Sequence, residues 1–435
     1  MKSSPENAAE VLLDTASGPL TDLDDCSSLV DLAVSHLREE RFQKSFLRSQ
    51  ALELPVTILS RSHSSDSPIG NPVAPSNPTH PIYTADEEEL VSAIRSQLVH
   101  TLSDLSALPD FAANYPLESP LISFLRSWLS TTHTQLQVCA CIMLGNLSRS
   151  DEACKTMVHQ FRIHETLVAL LQESDDTPVL HSAAGFLKNL ALLSENKAVI
   201  GETGVMNALP RLWTMKITPH LQHAGASLTR QLVSNSFANI QRLLTSLSPD
   251  PDSPAHERTY LSLLVSLSEK SDDISTKIEI ARTITAICRT LNSTQPGISS
   301  EKIEQTAHRL YALHPDLARP LAVMVSQSRW PVVRSEGWFA FALMARSREG
   351  SVAVSDVVYA VDVYQPLVET ITGKAFAEGR SEGTVKGNTV DVGAVSGDDG
   401  PAASGEETNQ EKQMRTRDRE NALILVSELL KNMVS

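Results

Sequence analysis

Aromatic residues are scarce in this chain of 435 residues, at 5%, and there are only five cysteines. Few aromatics among abundant Leu, Ala and Ser favour packed helices over a β-sandwich. The odd number of cysteines follows no regular framework, which is typical of reduced intracellular thiols rather than of structural disulfides. The composition therefore indicates a helical intracellular protein.

Long apolar runs are also missing from the sequence. No uncharged apolar run approaches the roughly 18 residues that a membrane span requires. The acidic first thirty residues lack the apolar core of a secretory signal. We therefore expect a cytoplasmic or nuclear protein that does not insert directly into a membrane.

Basic residues are fewer than acidic ones: the chain has 37 Lys and Arg and 52 Asp and Glu, so the formal net charge is −15. This balance argues against a nucleic-acid partner. The sequence contains no phosphate-binding loop, dinucleotide fingerprint, zincin motif or nucleophile elbow. Cys139 and Cys141 lie two residues apart in a helical segment, where side chains diverge, so we interpret them as core thiols. We expect no catalytic activity, no cofactor and no metal.

Composition and periodicity divide the chain into six segments. We predict, in order, a disordered acidic tail (1–25), a helical segment or remnant repeat (26–59), a Ser/Pro-rich linker (60–85), amphipathic helical repeats (86–376), a disordered acidic and Gly-rich insert (377–414) and a C-terminal capping helix (415–435). Thr84 and Glu87 have the spacing of a capping box, which predicts a helix that begins directly after the linker. The run at 357–364 is compatible with either a strand or a helix.

An internal repeat determines the predicted architecture. A shift of 43 residues superposes Ala140 on Ala183, and Asn146 on Asn189. A period of about 40–47 residues with two or three helices is typical of armadillo and HEAT units. Each unit has an apolar face that it cannot bury alone, so neighbouring units must stack. The sequence therefore predicts an all-α fold, an armadillo-repeat α-solenoid that forms a right-handed superhelix of three-helix units.

The recurring asparagines are candidate binding residues. Asn146 and Asn189 occupy equivalent positions, and Asn239 is a weaker echo 50 residues after Asn189. Asn is a mediocre helix former, and its amide can both donate to and accept from a bound chain. The alternative is a structural asparagine that bonds to its own helix or to the adjoining turn. Trp338 is likewise either an anchor for a partner or a core residue.

The segments at 124–158 and 180–200 resemble the armadillo repeats of the Smg-type small-GTPase GDP-dissociation stimulators, in the C-terminal half of that family. The likeness rests on the Trp128-Leu129 helix end, the turn at 145–151 and the Lys188-Asn189 step. It is specific over about 120–205, and it is looser around 320–350.

This resemblance implies a protein that binds Ras- or Rho-class small GTPases, promotes GDP release from them and chaperones their prenylated forms. It implies contact with the GTPase at Asn146 and Asn189, and Arg149 is a further candidate one turn along the same helix. The acidic balance suits attraction of the basic C-terminal tails of such GTPases.

A second hypothesis is a general armadillo scaffold or adaptor that binds extended peptides or other proteins. A peptide groove of the importin type needs a Trp four residues before each Asn of the ladder. The corresponding residues are Ile142, Gly185 and Asn235, which weakens the importin form of this hypothesis. No motif supports a third, enzymatic hypothesis.

Overall fold

The computed structural model of this protein describes residues 7–70, 82–215, 218–327, 329–359, 361–374 and 409–434. Within these ranges the chain forms α-helices, a short 3-10 helix at Pro315–Ala318 and no strand apart from one isolated bridge between Ser246 and Thr259. The helices are α1 Ala8–Ala16, α2 Leu23–His36, α3 Glu40–Arg48, α4 Glu53–Arg61, α5 Ala85–Ala107, α6 Pro109–Asn114, α7 Pro120–Trp128, α8 Thr134–Leu147, α9 Asp151–His159, α10 Ile163–Glu173, α11 Thr177–Leu190, α12 Ser194–Glu202, α13 Val205–Thr214, α14 Pro219–Val233, α15 Phe237–Leu243, α16 Tyr260–Lys270, α17 Ile274–Leu291, α18 Ser300–Leu313, α19 Arg319–Val325, α20 Pro331–Met344, α21 Arg348–Val358, α22 Val361–Thr372 and α23 Asn409–Val434.

Side-chain caps fix the start of many of these helices. The capping box predicted at Thr84 and Glu87 is confirmed: each side chain bonds the other residue's backbone N–H, and α5 begins at Ala85. Asp176 caps α11 by accepting a hydrogen bond from the Val179 N–H at 2.9 Å. Caps of this kind satisfy N–H groups that the helix itself leaves unpaired.

The chain divides into two compact units, Met1–Leu243 (unit 1) and Leu244–Ser435 (unit 2). In both units most helices pack against the helix that follows three places later along the chain. The longest such series in unit 1 is α2, α5, α8, α11 and α14, and in unit 2 it is α17, α20 and α23. We call these the third helices, and we call α3, α6, α9, α12, α15, α18 and α21 the first helices. Each unit is therefore an armadillo-type stack of three-helix repeats, and the predicted all-α solenoid is confirmed.

Apolar residues at helical spacing form the core of each unit. Phe111, Trp128 and Phe186 are buried in unit 1, and Trp338 and Phe341 are buried in unit 2. Burial of such side chains contributes about 1.5–3 kcal/mol each. Because helices of neighbouring repeats pack against one another, the stacked repeats share this core.

The predicted disordered tail at 1–25 is wrong for the residues that the structure describes. Residues 8–16 form α1, and α2 begins at Leu23. Ala9, Leu13 and Ala16 lie at helical spacing and are buried, because α1 packs against α2 and α4. The interspersed acids obscure this short apolar stripe in the sequence. The segment predicted as helical at 26–59 contains most of α2, all of α3 and most of α4, and it follows the same order of repeats as the rest of unit 1.

The predicted C-terminal helix is present, but it begins earlier than 415. Helix α23 starts at Asn409 and packs against α20, α21 and α22 through Ala422, Leu425 and Leu429. Residues 409–414 are thus helical and do not belong to a disordered insert. Most of that insert, at 375–408, and part of the predicted linker, at 71–81, lie outside the described residues. The ambiguous run at 357–364 contributes to two helices, α21 and α22.

All five cysteines are buried free thiols, so the interpretation of Cys139 and Cys141 as core thiols is confirmed. Burial raises the pKa of the Cys141 thiol to about 12. Among the described residues, no helix combines the length and the apolar character that a membrane span requires.

Two helical glycines allow a direct test of how closely the repeats are packed. A Cβ on Gly201 of α12 would overlap Asn239 Oδ1 and lie 2.9 Å from an Arg242 side-chain nitrogen, whereas a Cβ on Gly185 of α11 would meet no atom within 4 Å. We expect Gly201→Ala to lower the free energy of unfolding by about 1–3 kcal/mol through overpacking. Gly185→Ala is the matched control and should raise it by about 0.5–1 kcal/mol. Urea unfolding followed by circular dichroism measures both changes, and equal effects would contradict this description of the packing.

Candidate protein-binding face

The third helices of unit 1 lie side by side and leave one stripe of each helix accessible. These accessible residues recur every three or four positions, and we call the surface they form the third-helix face. Its exposed or half-exposed members on α5, α8, α11 and α14 are Glu89, Ser96, His100, Asp104, Gln135, Val138, Ile142, Asn146, Pro178, His181, Gly185, Asn189, His220, His223 and Gln231. Helix-to-helix packing positions this surface, so its chemistry can vary without loss of the core.

A series of amide side chains crosses the third-helix face. Asn146 Nδ2 donates to Ser106 Oγ at 2.9 Å, and Asn189 Nδ2 donates to the Gly145 carbonyl at 3.3 Å. Gln231 Nε2 continues the series by donating to the Ala191 carbonyl at 3.2 Å. Each amide thus bonds the end of the preceding third helix while remaining half-exposed. We call Asn146, Asn189 and Gln231 the amide ladder.

The amide ladder combines the two interpretations that the sequence left open. The donated hydrogen bonds join neighbouring repeats, which is a structural role. Asn189 Oδ1 accepts no hydrogen bond within the described part of the chain, so it remains available to a partner. Gln231 was missed in the sequence, although it follows Asn189 by 42 residues, which is close to the repeat period.

Arg149 extends the ladder at the end of α8. Its guanidinium donates to the Ala107 carbonyl at 2.8 Å and to Asn146 Oδ1 at 3.2 Å. The side chain is nevertheless exposed. Arg149 therefore places a positive charge beside Asn146.

The prediction that Asn239 belongs to this ladder is wrong. Asn239 is fully buried on α15, a first helix. Its Nδ2 donates to the Lys197 and Leu232 carbonyls at 2.8 and 3.0 Å, and its Oδ1 accepts from Arg242. With no exposed atoms, Asn239 is a structural residue that a partner cannot reach.

The true equivalent of Asn239 is Asn196 on α12, which precedes it by 43 residues. Asn196 is also fully buried, and its Nδ2 donates to the Cys154 and Leu190 carbonyls at 3.1 and 2.9 Å. Its Oδ1 bonds His159 Nε2 at 3.1 Å. The sequence signal was present, because 43 residues is the repeat period, but Asn239 was compared with Asn189 at a spacing of 50.

Of the two alternatives for Trp338, the anchor for a partner is wrong, because the residue belongs to the core. Trp338 is fully buried in the core of unit 2, with its ring centroid 6.2 Å from that of Phe341. The adjacent Phe339 is half-exposed on α20, and the Arg289 guanidinium lies 4.7 Å from its ring centroid. One helical residue corresponds to about 100°, so neighbouring aromatics face different environments.

Charge changes sign along the series of third helices in unit 1. The α2–α5 end carries exposed Asp31, Glu89 and Asp104, whereas α11 and α14 carry Lys188 and Arg230. The described residues include no group of three His, Cys, Asp or Glu side chains arranged to hold a metal ion.

The half-exposed amides of the ladder and the buried residues Asn196 and Asn239 should differ in their effect on stability. Asn239→Ala would leave two buried carbonyls without their donor, so we expect it to lower the free energy of unfolding by about 3 kcal/mol. Asn189→Ala removes one half-exposed hydrogen bond and should cost only about 0.5–1 kcal/mol. Thermal and urea unfolding of both variants measure the difference. Equal losses would show that the exposed series is as important to the fold as the buried one.

Comparison with known proteins gives limited matches, and no family model matches the chain. Over 107 residues the chain is 29% identical to the GTPase-GDP dissociation stimulator vimar of Drosophila melanogaster, a match that spans 24% of this chain and 17% of vimar. The structure of Uso1-1 has a TM-score of 0.52 at 13% identity, covering 86% of this chain and 59% of Uso1-1, and this likeness shows a shared fold alone. A designed armadillo repeat protein in complex with the peptide (KR)4 has a TM-score of 0.48 at 15% identity, covering 70% of this chain and 100% of that protein.

Proposed function

We propose that the third-helix face of unit 1 binds a Ras- or Rho-class small GTPase, and that this binding stimulates GDP release or chaperones the GTPase. The observation that carries the proposal is the accessible pair Asn146 and Asn189, which lies within the segment that resembles the GDP-dissociation stimulators. The short match to vimar, a GTPase-GDP dissociation stimulator, supports it. The fold itself is shared by many binding proteins and does not select this partner.

Stimulated GDP release requires no reactive group on this chain. A protein that binds the nucleotide-free GTPase more tightly than the GDP-bound form shifts the population toward release. Each 1.4 kcal/mol of that difference weakens GDP affinity about tenfold. The amide ladder and Arg149 offer hydrogen bonds that can distinguish the two forms, provided that they contact a GTPase segment that moves when GDP leaves.

The charge of the third-helix face supports a basic partner segment at one end. Asp31, Glu89 and Asp104 are exposed on α2 and α5. Such carboxylates attract Lys- and Arg-rich segments and raise the association rate more than the final affinity. The basic C-terminal tail of a small GTPase would fit against α2 and α5, while its folded domain contacts α8 and α11.

The second candidate is an adaptor that binds an extended peptide through the amide ladder. The half-exposed amides favour it, because amide side chains can pair with a peptide backbone. Position 185, four residues before Asn189, is a glycine with open space around it. A Trp-based importin ladder is therefore absent from α11, and we favour the folded partner.

Pull-down assays with nucleotide-free and GDP-loaded Ras- and Rho-class proteins, with and without their prenyl groups, separate these candidates. Preference for the nucleotide-free form supports exchange stimulation, and equal binding of both forms supports a chaperone. Release of a fluorescent GDP analogue measures any acceleration directly. Absence of binding to every form would overturn the GTPase proposal.

The variant Gly185→Arg tests whether the third-helix face is the binding surface. The new side chain enters open space, so the fold should remain intact, and it would obstruct a partner docked between α8 and α14. We expect a decrease in GTPase affinity of at least about tenfold, equivalent to 1.4 kcal/mol.

Ala113→Arg is the matched control, because Ala113 is exposed on α6, a first helix away from this face. It adds the same side chain and charge and should leave the affinity within about twofold, well under 1 kcal/mol. Thermal unfolding of both variants verifies folding. Equal affinities of the two variants would place the GTPase elsewhere on the protein.

A further inference from the structure

Helices α19, α20, α22 and α23 of unit 2 surround a cavity of about 540 Å³. Four of the lining side chains are cationic and two are acidic, namely Arg334, Lys374, Arg415, Arg419, Glu369 and Asp418. This local excess of positive charge contrasts with the net charge of −15 of the whole chain. The cavity is thus a basic site in an acidic protein, and it lies in a different unit from the third-helix face.

One of the acidic side chains is buried and only partly satisfied. Asp418 is 2% exposed, and its Oδ2 accepts a hydrogen bond from Arg334 Nε at 3.1 Å. Its Oδ1 is also buried and has no hydrogen-bond partner among the described residues. A buried acceptor that loses water without gaining a donor is costly, by about 1–3 kcal/mol or more for a charged group. Asp418 is thus a buried and only partly satisfied carboxylate in the lining of the cavity.

Two of the four cationic side chains, Lys374 and Arg419, make fewer contacts than the Arg334–Asp418 pair. Arg334 is bound to Asp418, but the Lys374 ammonium and the Arg419 guanidinium make no hydrogen bond or ion pair within the described part of the chain. Both side chains are exposed at the cavity. They can therefore pair with anionic groups of a ligand without breaking an existing contact.

We propose that this cavity binds an acidic peptide segment of a partner protein. Glu or Asp side chains of the segment would pair with Lys374 and Arg419, and a backbone N–H would donate to Asp418 Oδ1. An extended peptide carries both kinds of group at short spacing, and each residue of a strand-like segment advances about 3.3 Å. Inorganic phosphate would engage the cations but would leave most of the cavity unfilled.

Fluorescence anisotropy with the full chain tests this proposal. The probe is a fluorescein-labelled eight-residue peptide of alternating Glu and Ser, and the comparison probe alternates Lys and Ser. We expect saturable binding of the acidic peptide, weakened by added salt because the pairs are partly exposed. Any binding of the basic peptide, which the exposed carboxylates on α2 and α5 can attract, should be unchanged by a substitution in the cavity. Absence of saturable binding to the acidic peptide would overturn the proposal.

A matched pair of charge reversals on α23 localises the binding. Arg419→Glu changes a cavity residue, whereas Lys412→Glu changes an equally exposed residue of the same helix that does not line the cavity. We expect the first to weaken binding at least about tenfold and the second by less than about twofold, a difference of roughly 1 kcal/mol or more. Thermal unfolding verifies that both variants remain folded.

Two outcomes of this comparison would contradict the proposed site. Equal weakening by the two variants would show non-specific attraction between the acidic peptide and the positive end of α23. Displacement of the peptide by low-millimolar sodium phosphate at constant ionic strength would show a simple anion site instead. Binding that survives phosphate and is lost only with Arg419→Glu supports the peptide site.

Discussion

The stacking of each helix on the helix three places further along the chain is the constraint on which this structure depends. A repeat of about 43 residues has an apolar face that it cannot bury alone. The third helices show the dependence most clearly, since α5, α8 and α11 are each covered on both sides by neighbouring third helices. The regular stacking of the repeats therefore determines both the stability of the protein and the position of every accessible side chain.

Stacking of helices also carries an energetic cost, because helix ends bring carbonyls without hydrogen-bond donors into the interior. The chain resolves this with amide side chains at the repeat period. Asn196 and Asn239 each donate to a carbonyl of the preceding first helix and to a carbonyl near the end of the third helix just before them. An amide suits this position because its NH₂ group has two donors while its oxygen accepts from His159 or Arg242. The buried series thus acts as a fixed polar joint between repeats.

The sequence was sufficient to predict the helical class, the stacking of repeats and the start of α5, because these depend on local periodicity and capping chemistry. It was insufficient where exposure decides the role of a residue. Asn189 and Asn239 are the same residue type in similar local sequence, yet Asn189 is half-exposed near the end of a third helix and Asn239 is fully buried in a first helix. Trp338 and Phe339 are adjacent aromatics, and only the packing of α20 determines which of them reaches solvent. Helix α1 was missed because its three small buried contacts produce a weak pattern among acidic residues.

The third helices of the two units have different surface chemistry although they occupy the same place in the repeat. In unit 1 they carry neutral amides, each bonded to the preceding third helix. In unit 2 the corresponding helices α17 and α20 are joined by the Arg282–Glu336 ion pair at 2.8 Å and by Arg289 over Phe339. Ion pairs and cation–π contacts weaken or reorganise when a charged partner approaches, whereas neutral amides do not. The third helices are thus joined by neutral amides in unit 1 and by contacts of charged side chains in unit 2.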